Sequence, residues 1–442
     1  MGSSVSGRGL PLSKSIMLQM IRKVATSLVV IVVVAFGVRA AFAWNQAAKI
    51  PKDVAGTIPF QTETGHIAYS VATGKGFSSP FQRDSGPTAW LTPVYPLIVA
   101  GIFKVFGVYT RGSFLATIFL NIIFSSATCV PIFYAGRRIA RIGAGSGGAW
   151  LWALFPNAIL IPFEWIWDTS LAALLAATLL WATLELAEST RWRDWIGYGV
   201  LWGVALMTNP SVGAVFPFLL GWLAYRGYRD GRIRLTKPAM AAAVALICCV
   251  PWTVRNFVAF HRFIPFRSNF GYELYIGNNE NYDERHWGSP AIITQGMETL
   301  RYLRMGETAF MQEERRKALK FIQGHPRMEM QLIAWRFVDF WMGVADPLRT
   351  IVGTDSWLIR GILLGNFASA VGALAGVVVL FLRRSVYAVP VAAFPLIFPV
   401  LYYVTHTSLR YRHPIDPMVL LLTAIAAGAM RAEGKNERTM PA

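Results

Sequence analysis

Leu91-Thr92-Pro93-Val94-Tyr95-Pro96-Leu97-Ile98-Val99-Ala100-Gly101-Ile102-Phe103-Lys104-Val105-Phe106-Gly107 is the stretch whose reading sets the topology of this chain. It is the second in a long series of apolar runs, but it is short, with two prolines near its start and a lysine near its end. A helix needs roughly 20 apolar residues to cross the hydrocarbon core of a bilayer. Charge bias decides the case, because Lys and Arg in short loops stay on the cytoplasmic side. The N-terminus carries Arg8, Lys14, Arg22 and Lys23, and basic clusters follow at Arg137, Arg138 and Arg141, at Arg191 and Arg193, at Arg226, Arg229, Arg232 and Arg234, and at Arg383 and Arg384. All of these share one side only if the quoted stretch does not cross. Residues 90–107 are therefore read as a juxtamembrane or partly embedded helix on the outer face.

Working outward, the full apolar runs lie near residues 25–44, 113–135, 145–163, 169–186, 196–208, 212–225, 238–257, 359–382, 386–404 and 414–430. That predicts about ten transmembrane helices with both termini cytoplasmic. The composition agrees: 54% of the 442 residues are hydrophobic and 15% charged, where a soluble protein carries about a quarter charged. The chain is read as an all-α polytopic membrane protein. Ala41-Phe42-Ala43 resembles a signal-peptide cleavage site, but Arg39 and the length of the run favour a retained first span. The net charge of +18 follows the cytoplasmic loops and lipid phosphates. No aromatic-basic pattern of a nucleic-acid module accompanies it. Cys129, Cys248 and Cys249 lie inside apolar runs and suggest packing, not disulfides.

Four parts result. Residues 1–258 form an N-terminal transmembrane module whose first outer loop, 45–110, carries the candidate site. Residues 259–357 form a large outer-face loop subdomain, 358–431 the C-terminal transmembrane helices, and 432–442 a cytoplasmic tail. Within the subdomain, helical patterns at 306–323 and 326–341 are split by Gly324-His325-Pro326. The second sets Met330, Ile333, Phe337 and Trp341 on one face, suited to lying on the membrane.

The polar residues crowd the outer side. Phe60-Gln-Thr-Glu63-Thr-Gly-His66-Ile-Ala-Tyr69-Ser-Val-Ala-Thr-Gly74-Lys-Gly76-Phe-Ser-Ser-Pro-Phe81 carries Glu63, His66 and Tyr69 at helical spacing. With Pro93-Val-Tyr-Pro96-Leu97 and Phe103-Lys-Val-Phe-Gly107, it resembles the first outer loop of bacterial integral-membrane glycosyltransferases of the GT-C superfamily. Within it, the nearest group is the protein O-mannosyltransferase and aminoarabinose transferase (glycosyltransferase family 39-like) one. Gly136-Arg137-Arg138, the Asp168 region, Asn209-Pro210 and Arg410-Tyr411-Arg412-His413-Pro414 follow in the expected order. The resemblance implies a GT-C-like fold in the bacterial plasma membrane, a polyprenyl-phosphate sugar donor, and a protein, lipid or glycan acceptor outside the cytoplasm. It also implies a first-loop carboxylate as base or acceptor-positioning group, here Glu63. Relatives often carry an Asp-Glu pair where this chain has Thr62-Glu63, and a His or Lys where it has Thr92.

The residue chemistry fits that expectation. A lipid phosphate is already a good leaving group, so the reaction needs a base for the acceptor and cations for the departing phosphate. Glu63 is the candidate base. Asp168 is either a second site carboxylate or the N-cap of the helix after it, and Glu164 is a weaker candidate. Arg255, Arg410 and Arg412, with Arg267, are candidates for the donor phosphate; the competing role is interfacial snorkelling. His66, Tyr69, Tyr275, Asn278 and Asn279 are candidate substrate contacts, though the last three equally suit a packed turn. No His, Cys and Asp spacing points to zinc; a divalent metal is possible but not indicated. The alternative function is a transporter or flippase of a lipid-linked sugar. Transporters tend to place ionisable groups at mid-membrane and to show internal repeats; here the spans hold few such groups, the polar residues crowd one face and the sequence shows no internal repeat.

Overall fold

The structure is a computed structural model and describes residues 23–47, 60, 62–81, 83–164, 166–231, 235–280, 297–344 and 346–437. Arg8, Lys14, Arg22, Arg232, Arg234 and the last five tail residues lie outside them. The chain opens with α1 (Leu28–Ala47), α2 (Glu63–Ala72) and α3 (Val94–Phe106). Next come α4 (Arg111–Ala127), α5 (Cys129–Leu154), α6 (Pro156–Glu164), α7 (Thr169–Leu186) and α8 (Trp192–Thr208). A 3-10 segment, Pro210–Val215, leads to α9 (Phe216–Arg229) and α10 (Thr236–Phe260). The middle region holds α11 (Phe270–Gly277), α12 (Met297–Met305), α13 (Glu307–Gly324), α14 (Pro326–Met342) and α15 (Pro347–Gly353). The chain closes with α16 (Trp357–Leu382), α17 (Ala388–Ile397), α18 (Val400–Val404), α19 (Leu409–Arg412) and α20 (Asp416–Glu437).

Among the described residues six helical stretches are long and apolar enough to cross a membrane, where the sequence suggested about ten: Leu28–Ala47, Arg111–Leu154, Thr169–Leu186, Thr236–Phe260, Trp357–Leu382 and Leu409–Arg431. The shortfall has physical causes. Arg111–Leu154 folds back on itself, because Ala140 and Arg141 leave the helical region, Arg141 with φ +68°. In a straight helix Gly136 and Gly145 would stand about 13 Å apart. Here a Cβ on Gly145 would lie 2.3 Å from the Phe133 carbonyl oxygen, so only glycine allows the two legs to close. The turn contains Arg137, Arg138 and Arg141, where the sequence placed it. Elsewhere α8 stops at Thr208, before Asn209-Pro210, and α17 and α18 are separate short pieces, so each falls below spanning length. The 13 residues of α3 reach only about 20 Å, short of a crossing.

One end of the bundle gathers the basic turns. Arg138 pairs with Glu188, Lys237 Nζ donates to the Thr190 carbonyl at 2.7 Å, and Trp222 Nε1 donates to the Val386 carbonyl at 2.9 Å. Asp168 stands at the other end of α7, some 18 residues or about 27 Å away.

Helix ends inside the bundle leave carbonyls without partners, and no water is at hand in a bilayer. Buried arginines serve them, and the negative end of the helix dipole favours a cation there. Arg39 donates to the Trp152 and Ala153 carbonyls at 3.0 and 2.9 Å, at the end of α5, and to Ser125 Oγ at 2.8 Å. Arg336 donates to the Tyr403 and Val404 carbonyls at 3.0 and 3.1 Å and to the Gly277 carbonyl.

A second, aromatic core of Phe81, Trp90, Tyr272, Tyr302, Phe310 and Met311 ties the first loop to α11, α12 and α13. At its edge Glu307 accepts from Ala89 N at 2.7 Å, Ser268 Oγ at 2.6 Å and Tyr302 Oη at 2.9 Å. The Gly324-His325-Pro326 break falls where expected. On α14, Met330 and Phe337 are exposed and Ile333 is half-buried, while Trp341 donates to Tyr403 Oη at 2.8 Å; Leu332, Arg336 and Phe340 face inward.

Candidate active site

Glu63 is the first residue of α2. Thr62 caps the helix, its Oγ1 accepting from Gly65 N at 3.4 Å. The Glu63 carboxylate is half-buried, with a hydrogen bond from its own backbone N–H and no ion pair among the described residues. Burial pushes its pKa above the ordinary carboxylate value; Arg410 pulls it down, and a second carboxylate, Glu273, pushes it up. It faces a cavity of about 330 Å³ that also receives Asp168, Arg267, Glu273 and Arg410.

The walls of that cavity come from helix ends. Asp168 precedes α7 but makes no side-chain cap there. Its Oδ2 instead accepts from Arg267 Nη2 at 2.8 Å, so the side chain is committed to the cavity. Arg267 also donates to the Thr208 carbonyl at 3.2 Å, the last of α8, which accepts from Thr92 Oγ1 at 2.8 Å as well. Asn209 is extended, and its Oδ1 accepts from Ser211 N at 3.1 Å. This non-helical backbone is tolerable within the bundle because it lines a cavity. On another wall, Glu273 Oε1 accepts from Asn269 Nδ2 at 2.7 Å. Burial raises the Glu273 pKa, against the pull of Arg410 and Arg267. The Arg410 guanidinium lies 3.3 Å from the centre of the Trp167 ring, and its Nε is buried with no hydrogen-bond partner among the described residues.

The structure does not bring every candidate to this cavity. Arg255 donates to the Thr88 carbonyl at 2.6 Å and to the Phe77 carbonyl, and stacks on Trp252, so it fastens the first loop. Arg412 is wholly buried against Asp416, Ser369 and the Trp341 carbonyl. Asn278 Nδ2 donates to the Leu274 and Val404 carbonyls, and its Oδ1 accepts from Arg336; Asn279 Nδ2 donates to the Tyr275 and Ile276 carbonyls. Tyr275 packs under Lys317. His66 and Tyr69 line a different cavity, of about 320 Å³, where Tyr69 stacks on Tyr109 at 5.6 Å. Three and six residues on from Glu63, they have turned past the first cavity to the other flank of α2. Glu164 ends α6, exposed and outside the cavity lining.

Conversely, sequence reasoning passed over Glu273, His406, Tyr411 and Trp167. Glu273 stood inside a motif read for its tyrosines and asparagines, and His406 and Tyr411 flank an arginine that drew attention by charge. No three of His, Cys, Asp and Glu come together as a metal would need among the described residues.

Residues 88–254, just over a third of the chain, match the family model of dolichyl-phosphate-mannose-protein mannosyltransferases. No curated protein sequence matches the chain. Among solved structures it is similar to the oligosaccharyltransferase of Archaeoglobus fulgidus in the apo form, with TM-score 0.54 and 14% identity over 93% of this chain and 51% of that one. The archaeal oligosaccharyltransferase AglB of the same organism, in complex with an inhibitory peptide and a dolichol-phosphate, gives TM-score 0.54 and 13% identity over 94% of this chain and 51% of that one. ArnT from Cupriavidus metallidurans bound to undecaprenyl phosphate scores 0.42 at 15% identity, over 91% and 79%, too low to add to the assignment. The chain spans about half the length of the oligosaccharyltransferases it resembles. The fold of this chain is shared with these oligosaccharyltransferases, and the family match takes in part of the cavity wall, from Trp90 to Ser211, while Glu63, Arg267, Glu273 and Arg410 lie outside it.

Proposed function

We propose that the protein is a membrane glycosyltransferase that moves a sugar from a polyprenyl-phosphate carrier to a hydroxyl or similar nucleophile of a protein, lipid or glycan acceptor. The observation that carries this reading is the joint presence in one cavity of a half-buried carboxylate with no ion pair among the described residues, Glu63, and a guanidinium with a buried N–H that has no partner among them, Arg410. In the reaction the acceptor oxygen attacks the anomeric carbon and its proton passes to Glu63. The bond from anomeric carbon to phosphate oxygen breaks on the opposite face, so the centre inverts. The phosphate keeps the electron pair and leaves on the polyprenyl chain. Arg410 and Arg267 meet the developing negative charge, where a preorganised donor in a water-poor site is worth most. Asp168, held by Arg267, sets the aim of that second guanidinium.

The reading puts the cavity at the outer face of a bacterial plasma membrane. Support comes from the separation between Asp168 and the basic turns at the far end of α7, since basic loops favour the cytoplasm. The ligands of one structural neighbour, the archaeal AglB, are a dolichol-phosphate and an inhibitory peptide, of the same chemical classes as the donor carrier and one of the acceptors proposed here. The test is a panel of radiolabelled polyprenyl-phosphate sugars offered to membranes holding wild type or Glu63→Gln. Label passing to an acceptor, with release of free lipid phosphate, only in wild type supports the reading. Movement of intact lipid-linked sugar without release would instead establish transport.

A further inference from the structure

Four side chains in the cavity wall form one continuous chain of hydrogen bonds, and its direction can be read. His406 Nδ1 lies 3.3 Å from Glu273 Oε2 and 3.4 Å from the Glu273 backbone oxygen. Both are acceptors, so the imidazole proton sits on Nδ1. Burial and the nearby Arg410 charge push the His406 pKa down to about 4, so the ring is neutral and its Nε2 accepts. Tyr411 Oη is 3.1 Å from that Nε2 and therefore donates to it. With its hydrogen spent on histidine, the Tyr411 oxygen turns a lone pair to Arg410, whose Nη2 donates to it at 3.0 Å. Aromatic contacts fix the geometry: Tyr411 stacks on Tyr402 at 4.7 Å, and Arg410 lies against Trp167.

We propose that Glu273, His406 and Tyr411 are positioning residues of the site described above. Together they hold Arg410 by Nη2 and leave its Nε free to meet the phosphate of the polyprenyl carrier. The inference rests on the proposed transferase function and deepens it. Without the histidine, the tyrosine hydroxyl would be free to rotate its hydrogen toward the guanidinium and repel it. The chain also explains a close approach elsewhere. A Cβ on Gly277 would lie 1.8 Å from the Thr405 carbonyl oxygen, so glycine there lets the end of α11 press against the strand of backbone that carries His406. Glu273, one turn earlier on α11, reaches the imidazole only because of that contact.

The experiment measures the affinity of the full-length protein in lipid nanodiscs for undecaprenyl phosphate, beside sugar transfer and thermal unfolding, in wild type, Tyr411→Phe, His406→Phe and His406→Gln. Tyr411→Phe and His406→Phe are expected to weaken binding about tenfold, the loss of one well-placed hydrogen bond to a charged group. Unfolding should stay close to wild type. His406→Gln, whose amide oxygen can accept from Tyr411, should restore affinity to within about threefold of wild type. Wild-type affinity in Tyr411→Phe, or equal damage in His406→Gln and His406→Phe, overturns the proposal while transfer by wild type leaves the enzyme reading standing. A wild-type protein that neither binds undecaprenyl phosphate nor transfers sugar overturns both.

Discussion

Arg410 and Arg412 stand two residues apart on the same four-residue helix, and they serve opposite ends. Every nitrogen of the Arg412 guanidinium is committed: Nε to Asp416 Oδ1 at 2.6 Å, Nη1 to the Trp341 carbonyl and Nη2 to Ser369 Oγ, both at 2.5 Å. Among the described residues Arg410 has one hydrogen bond, an aromatic floor and an Nε with no partner. The first is a rivet between α14, α16 and α20; the second is a cation held ready. Charge and position in the sequence do not separate them. The number of donors already satisfied does, because a buried donor left over is costly unless a ligand arrives to use it.

The largest expected effect tests the chemical end of the contrast. Glu63→Gln should lower transfer by about 10²- to 10⁴-fold, the usual worth of a general base, with membrane insertion and unfolding temperature unchanged. Transfer retained at the wild-type rate would remove the base assignment. Next, Arg412→Ala strands the buried Asp416 carboxylate, and breaking such a pair typically costs 3–5 kcal/mol. Thermal unfolding and the folded fraction on gel filtration should both fall steeply. A well-folded Arg412→Ala protein with weakened donor binding would mean that the two arginines have been assigned the wrong way round. Arg410→Ala should do the reverse: normal unfolding, with affinity for undecaprenyl phosphate reduced about 10- to 100-fold. The smallest effect is on pH. Burial raises the Glu63 pKa above 4.5, so the protonated, inactive acid persists to higher pH than for a free carboxylate. Transfer should therefore fall, as pH drops, with a midpoint above 4.5 that is absent from the residual rate of Glu63→Gln. A limb at or below that value would show that the cavity does not desolvate the carboxylate.

Much of this molecule was legible in its sequence where the signal is local. The helical membrane class follows from hydropathy, the hairpin turn at Arg137–Arg141 from charge, the end of α8 at Asn209-Pro210 and the start of α14 from proline. Glu63, Asp168 and Arg410 were picked out as lone polar groups near apolar spans, and all three line the cavity. What could not be read depends on partners far along the chain. Arg255 looked like a phosphate ligand until the carbonyls of Phe77 and Thr88 were found against it. Asn278 and Asn279 looked like sugar contacts, but their amides close the end of their own helix. Glu273 and His406, 133 positions apart, meet only through the Gly277 contact, for which no local pattern exists. The count of about ten crossings is not matched by six stretches of spanning length for a related reason: hydropathy sees apolar runs, whereas helix length is set by proline, asparagine and the breaks around the cavity.

Arg39 has a consequence for how this protein is made. Apart from the Ala35 carbonyl one turn back, its partners in the finished structure are Ser125 and the carbonyls of Trp152 and Ala153, more than eighty residues further on. A ribosome therefore delivers α1 to the bilayer with a guanidinium in its middle that lacks most of its final partners, at an insertion cost of roughly 2.5–3.5 kcal/mol. Until Ser125 of α4 and then the end of α5 emerge, the guanidinium has only the Ala35 carbonyl, one turn back on its own helix, to bond. The first helix must wait, snorkelling or held by the insertion machinery, and it locks into place only when the hairpin closes beside it. Assembly in this protein thus has a natural checkpoint, set by one arginine and the distance along the chain to the carbonyls it needs.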